Sequence, residues 1–151
     1  MRAIIQRVTE ATVSAAPDTS GPFEVVGRIG PGLVVLVGAT HDDDPAIASR
    51  LAERIWRLRV FDDADGVPNL SAEDLGAQLL VVSQFTLYAD TRKGRRPSYV
   101  QAAKPEVAEP LIEQVVARLS ELGASVATGR FGSAMRVQLV NDGPWTVSLE
   151  V

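Results

Sequence analysis

The sequence contains no cysteine and only one histidine. Disulfides and thiolate chemistry are therefore excluded, and a zinc site lacks ligands. No apolar run approaches the roughly 20 residues of a membrane-crossing helix. There is no excess of basic residues: Lys and Arg number 15 against 19 Asp and Glu, a net charge of −4. Bulk charge thus does not advertise nucleic-acid binding, and any RNA contact must come from a local patch whose affinity falls as salt rises. No phosphate-binding Walker loop or dinucleotide fingerprint is present, because the glycines of Gly27–Gly32 have the wrong spacing and join strands. Internal repeats and low-complexity segments are absent. Met1–Val8 alternates like a strand and carries polar residues, unlike a signal peptide, so a cytoplasmic protein is expected.

What is there suits one domain spanning 1–151, large enough to bury about 68–70% of its unfolded surface. At 46% hydrophobic and 23% charged residues the chain is not of the disordered class. Residues 2–15 are rich in Ile, Val and Thr and read as one long strand or two joined at a bend. Residues 16–24 form a loop. Gly30-Pro31-Gly32 is expected to be a tight turn between two strands, the second of which, Leu33–Val37, is apolar on both faces and central. Asp44 and Pro45 open a helix whose face is Ile47, Leu51, Ile55 and Leu58. Phe61–Gly66 is a turn, and 67–78 a loop. Leu79–Val82 is a buried strand that turns polar at Ser83-Gln84. A second helix covers Pro105–Leu122, with Pro110 inside it or starting it and Gly123 after its end. Two half-buried strands follow, around Met135–Leu139 and Trp145–Val151, with Asn141–Pro144 as the turn between them. This order predicts an α+β fold in which a mixed or antiparallel, barrel-like sheet carries two main helices.

The usual protein catalysts are nearly missing. His41 stands beside Asp42, Asp43 and Asp44 at a helix start. A solvated loop residue and favourable charge at a helix N-terminus explain this group more readily than a triad histidine or a cation site. Ser83 and Thr86 are hydroxyls with no evident base. What remains is backbone dipoles, which can hold a developing oxyanion, and the basic run Arg92, Lys93, Arg95 and Arg96, which can hold phosphates or simply be a solvated loop. An activated nucleophile would have to come from elsewhere, such as the substrate.

Taken together, Arg2–Val8, Gly30–Leu33, Ser83-Gln84-Phe85-Thr86-Leu87, Arg96–Ser98, Thr128–Phe131, Met135 and Asn141–Thr146 resemble the bacterial-type D-aminoacyl-tRNA deacylase family over nearly the whole chain. The resemblance implies a homodimer that hydrolyses the ester of D-aminoacyl-tRNA, and of glycyl-tRNA, with no metal or organic cofactor and no membrane. It implies that Ser83 and Gln84 line the pocket for the 3′-terminal adenosine, and that the N–H groups of Phe85 and Thr86 form an oxyanion hole. It further implies that Gly143, Pro144, Trp145 and Thr146 enter the other subunit's pocket with a cis Gly143–Pro144 bond and leave no space for an L side chain. Water attack would be assisted by the tRNA's 2′-hydroxyl, with the Thr86 hydroxyl as a rival nucleophile. Arg7 and Met135 would support the cross-subunit loop, Phe131 would line the pocket, and Arg92–Arg96 would meet the acceptor stem. Two departures stand out: Trp145 occupies a position that is commonly Val, and the loop at 16–24 is longer than usual. The competing readings are an esterase using Thr86 or Ser83 as nucleophile, and a non-catalytic tRNA-binding module.

Overall fold

A computed structural model describes all residues, Met1–Val151. A long first strand, β1 (Arg2–Ala16), is the axis of the sheet. One edge of β1 pairs antiparallel with β2 (Glu24–Ile29) and β3 (Gly32–Gly38). These two run in phase, since Val8 faces Gly32 and, three residues on, Ala11 faces Ile29. Gly30-Pro31 is therefore not the reversing turn expected of it but a break within one returning strand. Proline cannot donate to the ladder, so it interrupts the pairing without ending it. β3 then pairs parallel with β6 (Gln78–Ser83), and β6 parallel with β7 (Val126–Thr128).

The other edge of β1 carries β8 (Ala134–Glu150), antiparallel along its whole length. Here the expectation of two strands joined by a turn is corrected. Asn141 faces Val8 and Thr146 faces Gln6, so the chain does not reverse; residues 142–145 bulge from one continuous strand. A glycine and a proline inside an otherwise alternating pattern are as much a bulge signal as a turn signal.

The sheet curls and buries both faces. Ala3, Ile5, Leu33, Val35, Leu79 and Val81 face the helices, whereas Val8, Ala11, Val13, Val34, Leu80 and Val82 form a second core inside the curl. This is why β3 and β6 are apolar without alternation. On β1 the parity switches after Val8, where a bulge at Thr9 shifts the pairing to Glu10–Val140 and turns the following side chains to the opposite face. Of the two forms open for residues 2–15, the structure has the single long strand, interrupted by that bulge. Gly27 lets β2 lie against β7 and nearly close a barrel: a Cβ there would stand 2.7 Å from the Thr128 carbonyl oxygen.

α1 (Pro45–Trp56) begins as expected, with the Asp44 side chain accepting from the Ile47 N–H. α3 (Pro105–Glu121) contains Pro110 and ends at Gly123 (φ 95°), with Ala124 N donating to Leu119 O and Gly123 N to Ser120 O. Between them lie structures not foreseen: a hairpin of β4 (Arg59–Asp62) and β5 (Pro68–Ser71), then a short helix, α2 (Ala72–Leu75). Ser71 and Asp74 cap α2 reciprocally, and Ser71 is buried. Ser71→Ala should lower stability by about 1 kcal/mol, measured as a fall in unfolding midpoint. A value indistinguishable from the parent would mean that the cap is dispensable. No helix is long and apolar enough to cross a membrane.

Candidate active site

The parallel strands β3 and β6 deliver their carboxyl ends side by side, with Val37 facing Ser83. Clefts outside the carboxyl ends of parallel strands are habitual ligand sites. Here the chain leaves β6 and tightens at once. Gln84 N donates to Val37 O at 2.7 Å, and Phe85–Tyr88 forms a 3₁₀ turn. The turn packs on Gly38, where a Cβ would stand 2.9 Å from the Gln84 carbonyl oxygen. Arg2 braces it from below, donating to Leu87 O and lying over the Tyr88 ring at 4.6 Å. Phe85 and Thr86 open the turn, so their N–H groups have no acceptor within it.

Above the turn is a cavity of about 590 Å³. Ser83, Gln84 and Phe85 line one side, Tyr99 and Ala102–Ala103 another, and Phe131, Ser133 and Met135 a third. Its 16 lining residues include no carboxylate, imidazole, ammonium or guanidinium. The nearby Tyr88 phenol is pushed up to about 12, chiefly by burial and then by Asp43, so it stays neutral at physiological pH. His41 is no part of the cavity; its Nε2 lies 2.8 Å from Val100 O. Asp43 is occupied by the Met1 ammonium at 2.6 Å and the Thr40 N–H at 2.7 Å, and Asp44 by its cap. No group of three or more His, Cys, Asp or Glu is placed to hold a metal ion. Thr86 sits outside the lining, and its Oγ1 accepts from Gln84 Nε2.

The second motif lies elsewhere in the chain. Gly143 and Pro144 are joined by a cis peptide bond, are exposed, and do not line their own chain's cavity. The bulge that carries them is tied at its base. Arg7, buried at 8% exposure, donates to Val60 O at 2.8 Å and Asp62 at 3.2 Å, and its Nε lies 2.9 Å from Asp142 Oδ2. The Arg7 guanidinium also lies 5.5 Å from the half-buried Trp145 ring. Asn141 Nδ2 donates to Arg7 O at 2.8 Å and Trp145 O at 3.0 Å, and Gln6 Nε2 donates to Thr146 at 3.1 Å. Met135 is at the far end of β8, lining the cavity against Gly129, where a Cβ would stand 2.6 Å from its sulfur. Arg92, Lys93, Arg95 and Arg96 are exposed on a loop closed by the Asp90–Ser98 bridge. Arg92 is held by Asp90 at 2.7 Å, and its hydrogen bonds keep that carboxyl well below the usual range.

The family model described as D-Tyr-tRNA(Tyr) deacylase matches residues 4–150. The chain belongs to this deacylase family. Proteins named D-aminoacyl-tRNA deacylase from Nocardia farcinica and Streptomyces griseus are 58% and 55% identical to it, over 99% and 100% of both chains respectively. Among solved structures, the c-Myc DNA unwinding element binding protein superposes with a TM-score of 0.87 at 34% identity, covering 100% of this chain and 99% of that one. A probable eukaryotic D-amino acid tRNA deacylase shares the fold, with a TM-score of 0.83 at 15% identity over 99% and 98% of the two chains. Sequence reasoning missed Gly38, Tyr99 and Ala102–Ala103. Gly38 was the one with a signal, as the glycine ending a doubly buried strand.

Proposed function

We propose that the chain, as a single domain over 1–151, is an editing hydrolase that cleaves the ester of D-aminoacyl-tRNA, and of glycyl-tRNA, to free amino acid and tRNA. The observation that carries this reading is the cavity at the ends of β3 and β6, which offers polar side chains and unpaired N–H groups but no general base. In this reading Ser83 and Gln84 seat the terminal adenosine, with Phe131 lining the cavity. The Phe85 and Thr86 N–H groups receive the carbonyl oxygen as it gains charge. Water, its proton taken up with help from the substrate's 2′-hydroxyl, adds to the carbonyl carbon. The bond to the 3′-oxygen then breaks, that oxygen takes a proton, and the amino acid leaves as its acid.

The active form is a homodimer. Support comes from β8, whose outer edge is unpaired over 17 residues and exposes Val137 and Val140, an edge that a monomer would leave open. Gly143 and Pro144 project from that strand without a role in their own cavity. In the dimer they enter the partner's cavity, where backbone carbonyls take the substrate ammonium and no room is left for an L side chain. Glycine carries nothing to exclude. Lys93, Arg95 and Arg96 meet phosphates at the acceptor end of the tRNA, and the work is cytoplasmic, where tRNA is charged.

Matched D- and L-aminoacyl-tRNA offered to the purified protein test the reading. A preference for the D ester of at least about tenfold is expected from steric exclusion of this kind. Equal rates on both esters, or retention of tRNA without turnover, would overturn it.

A further inference from the structure

Phe85 and Tyr99 are large aromatic residues left 57% and 40% exposed at the mouth of the cavity. They touch edge to face, with ring centroids 5.1 Å apart and planes at 70°. In that geometry at least one ring keeps an open face. The exposure does not come from a loose backbone. Phe85 stands on the 3₁₀ turn, and the segment bearing Tyr99 is fixed on both sides. Before it, Asp90 and Ser98 exchange backbone hydrogen bonds of 2.8 and 2.9 Å. After it, Val100 O lies 2.8 Å from the His41 ring, Gln101 O accepts from Thr40 Oγ1 at 2.6 Å, and Ala103 N donates to Ala39 O at 3.0 Å. The Asp90–Ser98 bridge also sets the basic loop beside this pair. Arg92 is engaged by Asp90, whereas Lys93, Arg95 and Arg96 form no ion pair.

A rigid, exposed aromatic pair flanked by unpaired cations has the chemistry that single-stranded nucleic acid recognises: flat faces for bases and positive charge for the backbone. We propose that Phe85 and Tyr99 form a stacking platform for the unpaired nucleotide immediately before the terminal adenosine, with Lys93, Arg95 and Arg96 holding the phosphates that lead out of the cavity. This rests on the D-aminoacyl-tRNA reading and adds to it a reason why a substrate longer than one nucleoside should bind more tightly. The rings act as positioning residues. They anchor the strand and so fix where the ester lies over the 3₁₀ turn.

The test compares two short D esters: the aminoacyl ester of adenosine and that of the trinucleotide cytidylyl-cytidylyl-adenosine. The parent should prefer the trinucleotide, through a lower KM. In Tyr99→Leu the ratio of kcat/KM for trinucleotide over nucleoside should fall about tenfold, the size of one lost base stack, whereas Tyr99→Trp should keep it. Replacing Lys93, Arg95 and Arg96 by Gln should flatten the salt dependence of the trinucleotide KM and leave that of the nucleoside unchanged; this set remains informative if Tyr99→Leu does not fold. An unchanged ratio in a folded Tyr99→Leu dimer sinks the platform, as does a parent with no preference for the longer ester. A parent that hydrolyses neither D ester overturns the functional reading itself, which separates the two failures.

Discussion

A D-aminoacyl-tRNA ending in 2′-deoxyadenosine should be hydrolysed at least about 100-fold more slowly than its ribose counterpart, the usual reach of one positioned acid–base group. Thr86→Ala, by contrast, should stay within about tenfold of the parent, because only the partner of Gln84 is lost and the backbone N–H of residue 86 remains. A protein nucleophile needs a base within hydrogen-bond reach. Of the 16 lining residues none can act as one at neutral pH, and His41 is committed to Val100 O outside the cavity. The Thr86 hydroxyl receives a hydrogen bond from the Gln84 amide, a donor, which makes its oxygen a poorer nucleophile. The ester itself carries the one hydroxyl adjacent to the reacting carbonyl. Single-turnover rates with the two terminal nucleosides, measured on parent and Thr86→Ala, separate the alternatives. Abolition of activity in Thr86→Ala together with indifference to the 2′-hydroxyl would establish the protein-nucleophile esterase instead.

The parts of this structure legible in the sequence are those whose signal is local. Asp44-Pro45 starts a helix and Gly123 ends one because caps are satisfied within a few residues. Leu79–Val82 is doubly buried because nothing else explains an unbroken apolar run. What failed was pairing. Gly30-Pro31 and Gly143-Pro144 both look like reversals when only neighbours are considered. Their true character, a strand break and a strand bulge, is decided by β1, which lies alongside both and holds the chain straight across each interruption. The hairpin at 59–71 was lost for a similar reason, since its strands have four residues each and are too short to show alternation. The members of the cavity wall contributed by 99–103 carry small or single aromatic side chains, and only the closing bridges at Thr40 and Asp90 bring them to the site.

Arg7→Lys should reduce D-aminoacyl-tRNA hydrolysis by about 100-fold while the protein still folds, since displacing a positioning element by about 1 Å costs that much. Arg7→Ala should in addition lower stability by about 2–3 kcal/mol, below the usual cost of breaking a buried pair because its carboxylate partners are about half exposed. The guanidinium joins three pieces with polar contacts: β1, the Val60–Asp62 stretch of the hairpin, and Asp142 at the root of the bulge. Its fork reaches these acceptors at once, which a lysine ammonium on a flexible stem does not. With Lys the charge is kept, so the half-exposed carboxylates still have a cation near them, but the fork that joins them and the aim of Gly143 and Pro144 are lost. If that dipeptide polices handedness in the other subunit, Arg7→Lys should also narrow the gap between D and L esters. Subunit mixing then locates the effect. An Arg7→Lys chain keeps a sound cavity and a Gln84→Ala chain keeps a sound bulge. Their heterodimer holds one complete site, so an equimolar mixture should regain about a quarter of the parent's sites if dimers exchange at random. Two inactive variants that stay inactive when mixed, despite demonstrated exchange, would place each bulge with its own cavity and remove the basis for chiral policing across the dimer.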